Sequence, residues 1–151
     1  MKVLITGHFG NIGSHALPEL LREGHQVRCL DLDTPGNRAA ARKHGRRIEA
    51  LWGDVRDRAA VARAVAGVEA VLHLAAVIPP GSNDDPARAR EVNVEGTRRV
   101  LEACAALPRK PRLLFTSTFD VHGHTLHRPP PRQVTDPPPA PDPYTQAKVP
   151  A

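Results

Sequence analysis

Short, nearly continuous apolar runs recur along the chain, at Val3-Leu4-Ile5, Val27 to Leu30, Ile48 to Trp52, Val71 to Leu74 and Leu113 to Phe115. A strand with one solvated face alternates apolar and polar residues. A strand covered on both faces does not, so these runs predict five buried strands. Between them, apolar positions recur at helical spacing near residues 11–23, 36–44, 57–66 and 84–106. This alternation of strand and helix predicts a doubly wound α/β fold. Its sheet is expected to be parallel, with right-handed crossovers and five strands in spatial order 3-2-1-4-5.

Local punctuation sharpens the element ends. Pro18 lies inside the first helical stretch, removes one backbone donor there and is expected to bend the helix. Gly24 suits its C-terminal end. Asn83 or Asp84 is expected to cap the fourth helix, with Pro86 in its first turn. From Arg128 to Pro143 the chain is dense in proline, with Pro129-Pro130-Pro131 and Pro137-Pro138-Pro139, and an extended loop is expected. The expected organisation is therefore a dinucleotide-binding domain over 1–127. A proline-rich loop and the start of one further helix follow over 128–151.

Composition narrows the class. The chain has 151 residues, 40% hydrophobic and 25% charged, which suits one globular domain. Aromatics make up only 3%, so the core must be aliphatic. No apolar run approaches the length of a membrane span, and Met1-Lys2 leads straight into a strand-like run rather than a signal peptide. The net charge of +5 raises the question of a nucleic-acid partner. The arginines are scattered, however, and no aromatic platform for bases accompanies them, so none is expected. Two cysteines, Cys29 and Cys104, form no disulfide framework; reduced core thiols and a cytoplasmic location are expected.

The first chemical motif is Gly7-x-x-Gly10-x-x-Gly13, directly after the first apolar run. A dinucleotide pyrophosphate must approach the backbone closely at such a turn, and a helix must begin beneath it. Side chains obstruct both, and the new helix offers unpaired N–H groups. Asp31, at the end of VRCLD, lies about 20 residues further on. A carboxylate there accepts hydrogen bonds from the ribose hydroxyls and repels a 2′-phosphate. NAD is therefore the expected cofactor. Asp33 is a second candidate for the ribose, and the nearby Arg38 keeps NADP open.

TGHFGNIG resembles the TGxxGxxG signature of extended short-chain dehydrogenases/reductases, the NAD-dependent epimerase/dehydratase group. The resemblance recurs in order along the chain. GDVRD, Gly53 to Asp57, is similar to the segment after the third strand and implies Asp54 and Val55 beside the adenine. VLHLAA, Val71 to Ala76, resembles the fourth strand's end, and implies that Leu74, Ala75 and Ala76 line the cofactor. VNVEGTRRVLEAC resembles the helix with the family's structural Asn, here Asn93. TSTFDVHG resembles the S-S-x-x-V-Y-G segment, and PYTQAK matches Tyr-x-x-x-Lys. The resemblance implies that Gly7, Gly10, Asn11, Ile12, Gly13, Asp31 and Lys148 also contact the cofactor.

For Tyr144 and Lys148 the chemistry agrees. Removing a carbinol proton needs a base, and a phenol with an ordinary pKa near 10 is a poor one at neutral pH. A nearby cation favours phenolate. Residues four apart share a helix face, so Lys148 is expected beside Tyr144. Thr118, with Ser117 as alternative, is expected to hold the substrate oxygen. His122, His124 and His127 lack a carboxylate or thiolate cluster, and no metal site is expected. His8 either flanks the cofactor or is a tolerated loop residue. Val77, Ile78 and Pro79 suggest an apolar wall.

The resembled family runs to roughly twice this length. The resemblance implies that the rest of the Tyr/Lys helix and a substrate-binding domain lie outside the chain. The expected activity is hydride transfer by an epimerase, dehydratase or reductase on a nucleotide sugar or related carbonyl compound. The parent enzyme is expected to be a homodimer. The 151 residues are expected to turn over little, with Tyr144 and Lys148 mobile or misplaced after an unanchored proline loop. A non-catalytic dinucleotide-binding module is the alternative. Strand 5 is expected to present an apolar edge.

Overall fold

In a computed structural model of the chain, residues 1–123, 131, 133 and 135–149 are described. Five strands form one parallel sheet: β1 (Lys2–Thr6), β2 (Gln26–Asp31), β3 (Ile48–Trp52), β4 (Ala70–His73) and β5 (Arg112–Phe115). Their order is β3-β2-β1-β4-β5, as the alternation predicts.

The continuous apolar runs have a direct cause. Leu4, Leu30 and Val71 enter a core on one face of the sheet, with Val61, Val65 and Val100. Ile5 and Cys29, one register step away, enter a second core with Leu17 and Val27. Helices cover both faces, so both sets of alternating positions must be apolar. The two cysteines are buried and free, and burial pushes the Cys29 thiol up to about 12.

Helix α1 (Asn11–Arg22) runs through Pro18. It ends as expected at Gly24, whose φ is +76°. There the N–H of His25 donates to Leu20 O and that of Gly24 to Leu21 O, the paired bonds of a Schellman end. Helices α2 (Pro35–His44) and α3 (Arg58–Val65) begin at side-chain caps, Thr34 and Asp57.

The single helix expected over 84–106 is not continuous. A one-turn α4 (Gly81–Asp84) comes first, and Asp85 then leaves helical geometry at φ −137°, ψ 80°. Its carboxylate accepts from Arg88 N and caps α5 (Pro86–Arg90), so the cap is neither Asn83 nor Asp84. A π-helical stretch, Glu91–Gly96, follows before α6 (Thr97–Ala105). Apolar spacing does not distinguish a π segment from an α-helix, because one inserted residue shifts the face without erasing it.

The proline-rich stretch is anchored at its end, contrary to expectation. Ala140 N donates to Val121 O, and Asp142 forms a capping box with Thr145 that starts α7 (Pro143–Gln146). His124, His127 and the polyproline start at Pro129-Pro130 lie outside the described residues.

Candidate functional site

The carboxyl ends of the strands open into a cavity of about 680 Å³. One end is walled by Asp31 and Asp54, the middle by the loop from Gly7 to Gly13, and the other end by Thr118 and Tyr144. It sits where the strand order reverses between β1 and β4, the place where open α/β sheets leave a crevice.

The glycine loop is shaped by close approach. Gly7 has φ +69°, and a Cβ there meets the Ala75 Cα and N at 2.7 Å. A Cβ on Gly13 meets the His8 Cα at 2.6 Å. The first glycine therefore lets β1 turn against the β4 loop, and the third seats α1 beneath it. No side chain caps α1 at Gly10, and Gly10, Asn11, Ile12 and Gly13 all line the cavity. An uncapped helix start with glycine around it fits an anionic pyrophosphate.

Asp31 braces this loop as well as facing the cavity. Its Oδ2 accepts from Phe9 N at 2.9 Å, and its Oδ1 from Leu32 N at 2.8 Å and Asn37 Nδ2 at 3.2 Å. Oδ2 retains acceptor capacity that fits a ribose hydroxyl. Asp33, the second candidate, lies outside the cavity wall and is paired with Arg38. At Asp54, burial pushes the carboxyl up. Two side-chain bonds and one backbone bond from Arg56 outweigh that and hold it below the usual range.

A buried polar relay fixes the loop after β4. Ala75 N donates to Thr6 Oγ1, and Thr6 Oγ1 meets His73 Nδ1 at 2.6 Å. His73 Nε2 meets Thr97 Oγ1 at 3.0 Å, and Thr97 donates to Asn93 O at 2.6 Å. Because Thr97 spends its proton on Asn93, it must accept from His73. The imidazole therefore carries its proton on Nε2 and accepts from Thr6 at Nδ1. Burial first, then the Lys148 charge, pushes His73 down to about 4, keeping it neutral as the relay requires.

Asn93 extends the relay rather than reaching the cavity. Its Oδ1 accepts from Val77 N at 2.7 Å and its Nδ2 donates to Val77 O at 2.9 Å. It positions the wall made by Val77, Ile78 and Pro79 instead of lining it. Gly7, Gly10, Gly13, Asp54, Val55, Leu74, Ala75 and Ala76 line the cavity.

Tyr144 and Lys148 lie near each other, but the helix expected to carry both stops short. Tyr144 lines the cavity, but α7 ends at Gln146, so Lys148 does not continue its face. Lys148 is 6% exposed and Nζ donates to Thr116 O at 3.0 Å. The ammonium lies 4.7 Å from the Phe115 ring centroid and 5.6 Å from that of Tyr144, outside the cavity wall. Burial, followed by Asp120 and Asp142, pushes the Tyr144 hydroxyl up rather than down. Thr118 reaches the cavity, with its hydroxyl donating to Asp120 Oδ2 at 2.9 Å. Ser117 donates to Lys148 O instead.

His8 is a loop residue between β1 and α1, buried at 1% exposure and not among the residues that line the cavity. Sequence reasoning missed Phe9, Asn37, Arg56, Arg88 and Asp120 on the wall. Of these, Asn37 carried a readable signal, as the residue three after a Thr cap beside Asp31.

The sequence matches the family model described as the NAD dependent epimerase/dehydratase family over residues 3–151. It is 34% identical over 133 residues to human 3 beta-hydroxysteroid dehydrogenase type 7, covering 83% of this chain and 36% of that protein. It is 33% identical over 130 residues to a Klebsiella pneumoniae UDP-glucose 4-epimerase, covering 82% of this chain and 93% of that sequence. Among solved structures, the UDP-glucose-4-epimerase of Stenotrophomonas maltophila with bound NAD and formylated UDP-arabinopyranose superposes with a TM-score of 0.84 at 31% identity. That superposition covers 99% of this chain and 46% of the other. The chain thus spans about a third of the human enzyme and under half of the Stenotrophomonas one. With the strand order, the glycine loop and the cavity at the strand ends, the match over nearly its whole length means that the chain belongs to the NAD dependent epimerase/dehydratase family.

Proposed function

We propose that the chain is the NAD-binding portion of an epimerase/dehydratase-type oxidoreductase. One observation carries the reading: a single cavity runs from two carboxylates, past an uncapped glycine-rich helix start, to a Thr hydroxyl and a Tyr phenol. The adenosine belongs between Asp31 and Asp54, the pyrophosphate on Gly7 to Gly13, and the nicotinamide toward Thr118 and Tyr144. When bound, NAD supplies a two-electron hydride acceptor and donor. In the whole protein, these residues orient a substrate hydroxyl with Thr118 and take its proton at the Tyr144 oxygen, with the Lys148 ammonium turned from Thr116 O toward the phenol to favour phenolate.

The whole protein's substrate is proposed as a nucleotide sugar or related hydroxyl or carbonyl compound. The UDP-sugar epimerases among the relatives support that class, as does the apolar wall of Val77, Ile78 and Pro79. A homodimer belongs to the same proposal. So does the division into a dinucleotide-binding unit over 1–127 and a loop with the helix start over 128–151.

A second reading, a dinucleotide-binding module without turnover, is favoured for the 151 residues themselves. Lys148 is committed to Thr116 O, and the Tyr144 phenol is held in its neutral form. Calorimetric titration with NAD, followed by a turnover assay over a panel of nucleotide sugars, tests both. The expected result is binding with little or no turnover. Failure to bind NAD overturns the first reading, and robust turnover overturns the second.

A further inference from the structure

Beyond Asp31, the end of β2 carries a second, differently engaged charge pair. Arg38 Nε donates to Asp33 Oδ1 at 2.5 Å and Nη2 to Oδ2 at 2.7 Å, a two-armed fork. The same guanidinium lies over the Trp52 ring, 5.2 Å from its centroid. Trp52 is the register partner of Asp31. Phe9, whose N–H donates to Asp31, stacks on Trp52 at 5.8 Å and 19°. Asn37, the residue before Arg38, donates to Asp31 and lines the cavity. Arg38 is thus built into the cluster that orients Asp31, yet stands outside the cavity wall with its Nε–Nη2 edge engaged by Asp33 and its face on Trp52.

A guanidinium fork matches a phosphate as well as it matches a carboxylate. An arginine near the end of β2 is also the group that accommodates a 2′-phosphate in dinucleotide sites. We propose that Asp33 is a positioning residue for nucleotide choice: it occupies the fork of Arg38, seats it on Trp52, and so withholds it from a 2′-phosphate. Asp31 repels that phosphate directly, and Asp33 removes the cation that offsets the repulsion. Freed of Asp33, Arg38 swings on its flexible stem toward the ribose while Asp31, Asn37 and Phe9 keep their bonds. The inference rests on the dinucleotide reading above.

The test compares ADP-ribose with 2′-phospho-ADP-ribose by calorimetry, taking the ratio of their dissociation constants as the readout. That ratio is insensitive to any general loosening of the site. In Asp33→Ala the preference for the unphosphorylated ligand is expected to fall about three- to fivefold, the scale of an exposed ion pair. Asp33→Glu, which preserves the fork partner, is expected to retain most of the preference. Adding Arg38→Ala to Asp33→Ala is expected to restore it. Emission of Trp52, the chain's single tryptophan, is expected to change in Asp33→Ala as the guanidinium leaves its face. An unchanged ratio in Asp33→Ala overturns the proposal. So does a fall that persists in the double variant, since Asp33 would then act by direct repulsion alone. If the parent chain binds neither ligand, the dinucleotide reading itself fails, a separate outcome from either of these.

Discussion

His73 shows how much one buried residue decides. It is 1% exposed, and its two nitrogens join Thr6 to Thr97 only when the ring is neutral. Its pKa falls from 6.5 in the unfolded chain to about 4 in the fold. Between those values the unfolded state binds the extra proton. The stabilisation is therefore complete above pH 6.5 and is lost as pH falls toward 4. The loss is expected to reach roughly 3 kcal/mol across that window. His8, also lowered by burial first, adds loss in the same direction. Urea unfolding at steps from pH 7 to 4 checks this, and a stability independent of pH across that range would contradict it. At the same scale, Asp31 was readable from its distance to the glycines, whereas the relay was not. Thr6, His73, Thr97 and Asn93 lie in three separate motifs, and nothing along the chain links them, because only the pairing of β1 with β4 and the packing of α6 bring them together. The route by which Lys148 comes near Tyr144 was hidden for a related reason. Spacing of four implies a shared face only while the helix lasts, and here it ends two residues earlier.

Among the elements, α3 depends on a neighbour rather than on its own sequence. Its C-terminal carbonyls are met by Arg28 from β2, whose Nη1 donates to Arg63 O at 3.2 Å, Ala64 O at 2.7 Å and Ala66 O at 2.7 Å. The same side chain pairs with Glu49 on β3 at 3.0 Å. Arg28 is only 8% exposed, so Arg28→Met keeps the volume but leaves those carbonyls unpaired. A destabilisation of roughly 3 kcal/mol is expected in urea titration, and a change under 1 kcal/mol would show that water replaces the guanidinium. The start of α1 makes a complementary prediction. Gly13→Val forces a Cβ into the His8 backbone, so NAD affinity is expected to fall at least tenfold as the loop shifts. Retained affinity would mean that the loop moves without cost. Helix α1 was legible in full because glycine, apolar spacing and a terminal Gly24 all agreed. The stretch from 81 to 105 was legible only as helical. Its break at Asp85 and its π segment follow from fitting α5 and the Asn93 clamp against the β4 loop, which apolar periodicity does not encode.

At the scale of the fold, β5 is the edge strand of the sheet among the described residues; its Leu114 is 55% exposed, and Phe119 just beyond is 71% exposed. An apolar edge strand pairs readily with another chain. The 151-residue chain is expected to self-associate with rising concentration, and Leu114→Lys to reduce this, as followed by sedimentation. Equal behaviour of the two would assign any association to another surface. The order of the five strands, the two aliphatic cores and the address of the cavity were all present in the linear pattern. Each depends on local or repeating features: period, runs apolar on both faces, glycine at a strand-to-helix turn, and the single hand of the crossovers. What the folded chain decided is which polar groups spend their protons and charges on one another. His73 between two threonines, Arg28 on Ala64 O, Arg56 on Glu91 and Lys148 on Thr116 are set by distances across the fold. A hydrogen bond or ion pair forms over about 3 Å, and no spacing along the chain specifies that distance between residues tens of positions apart.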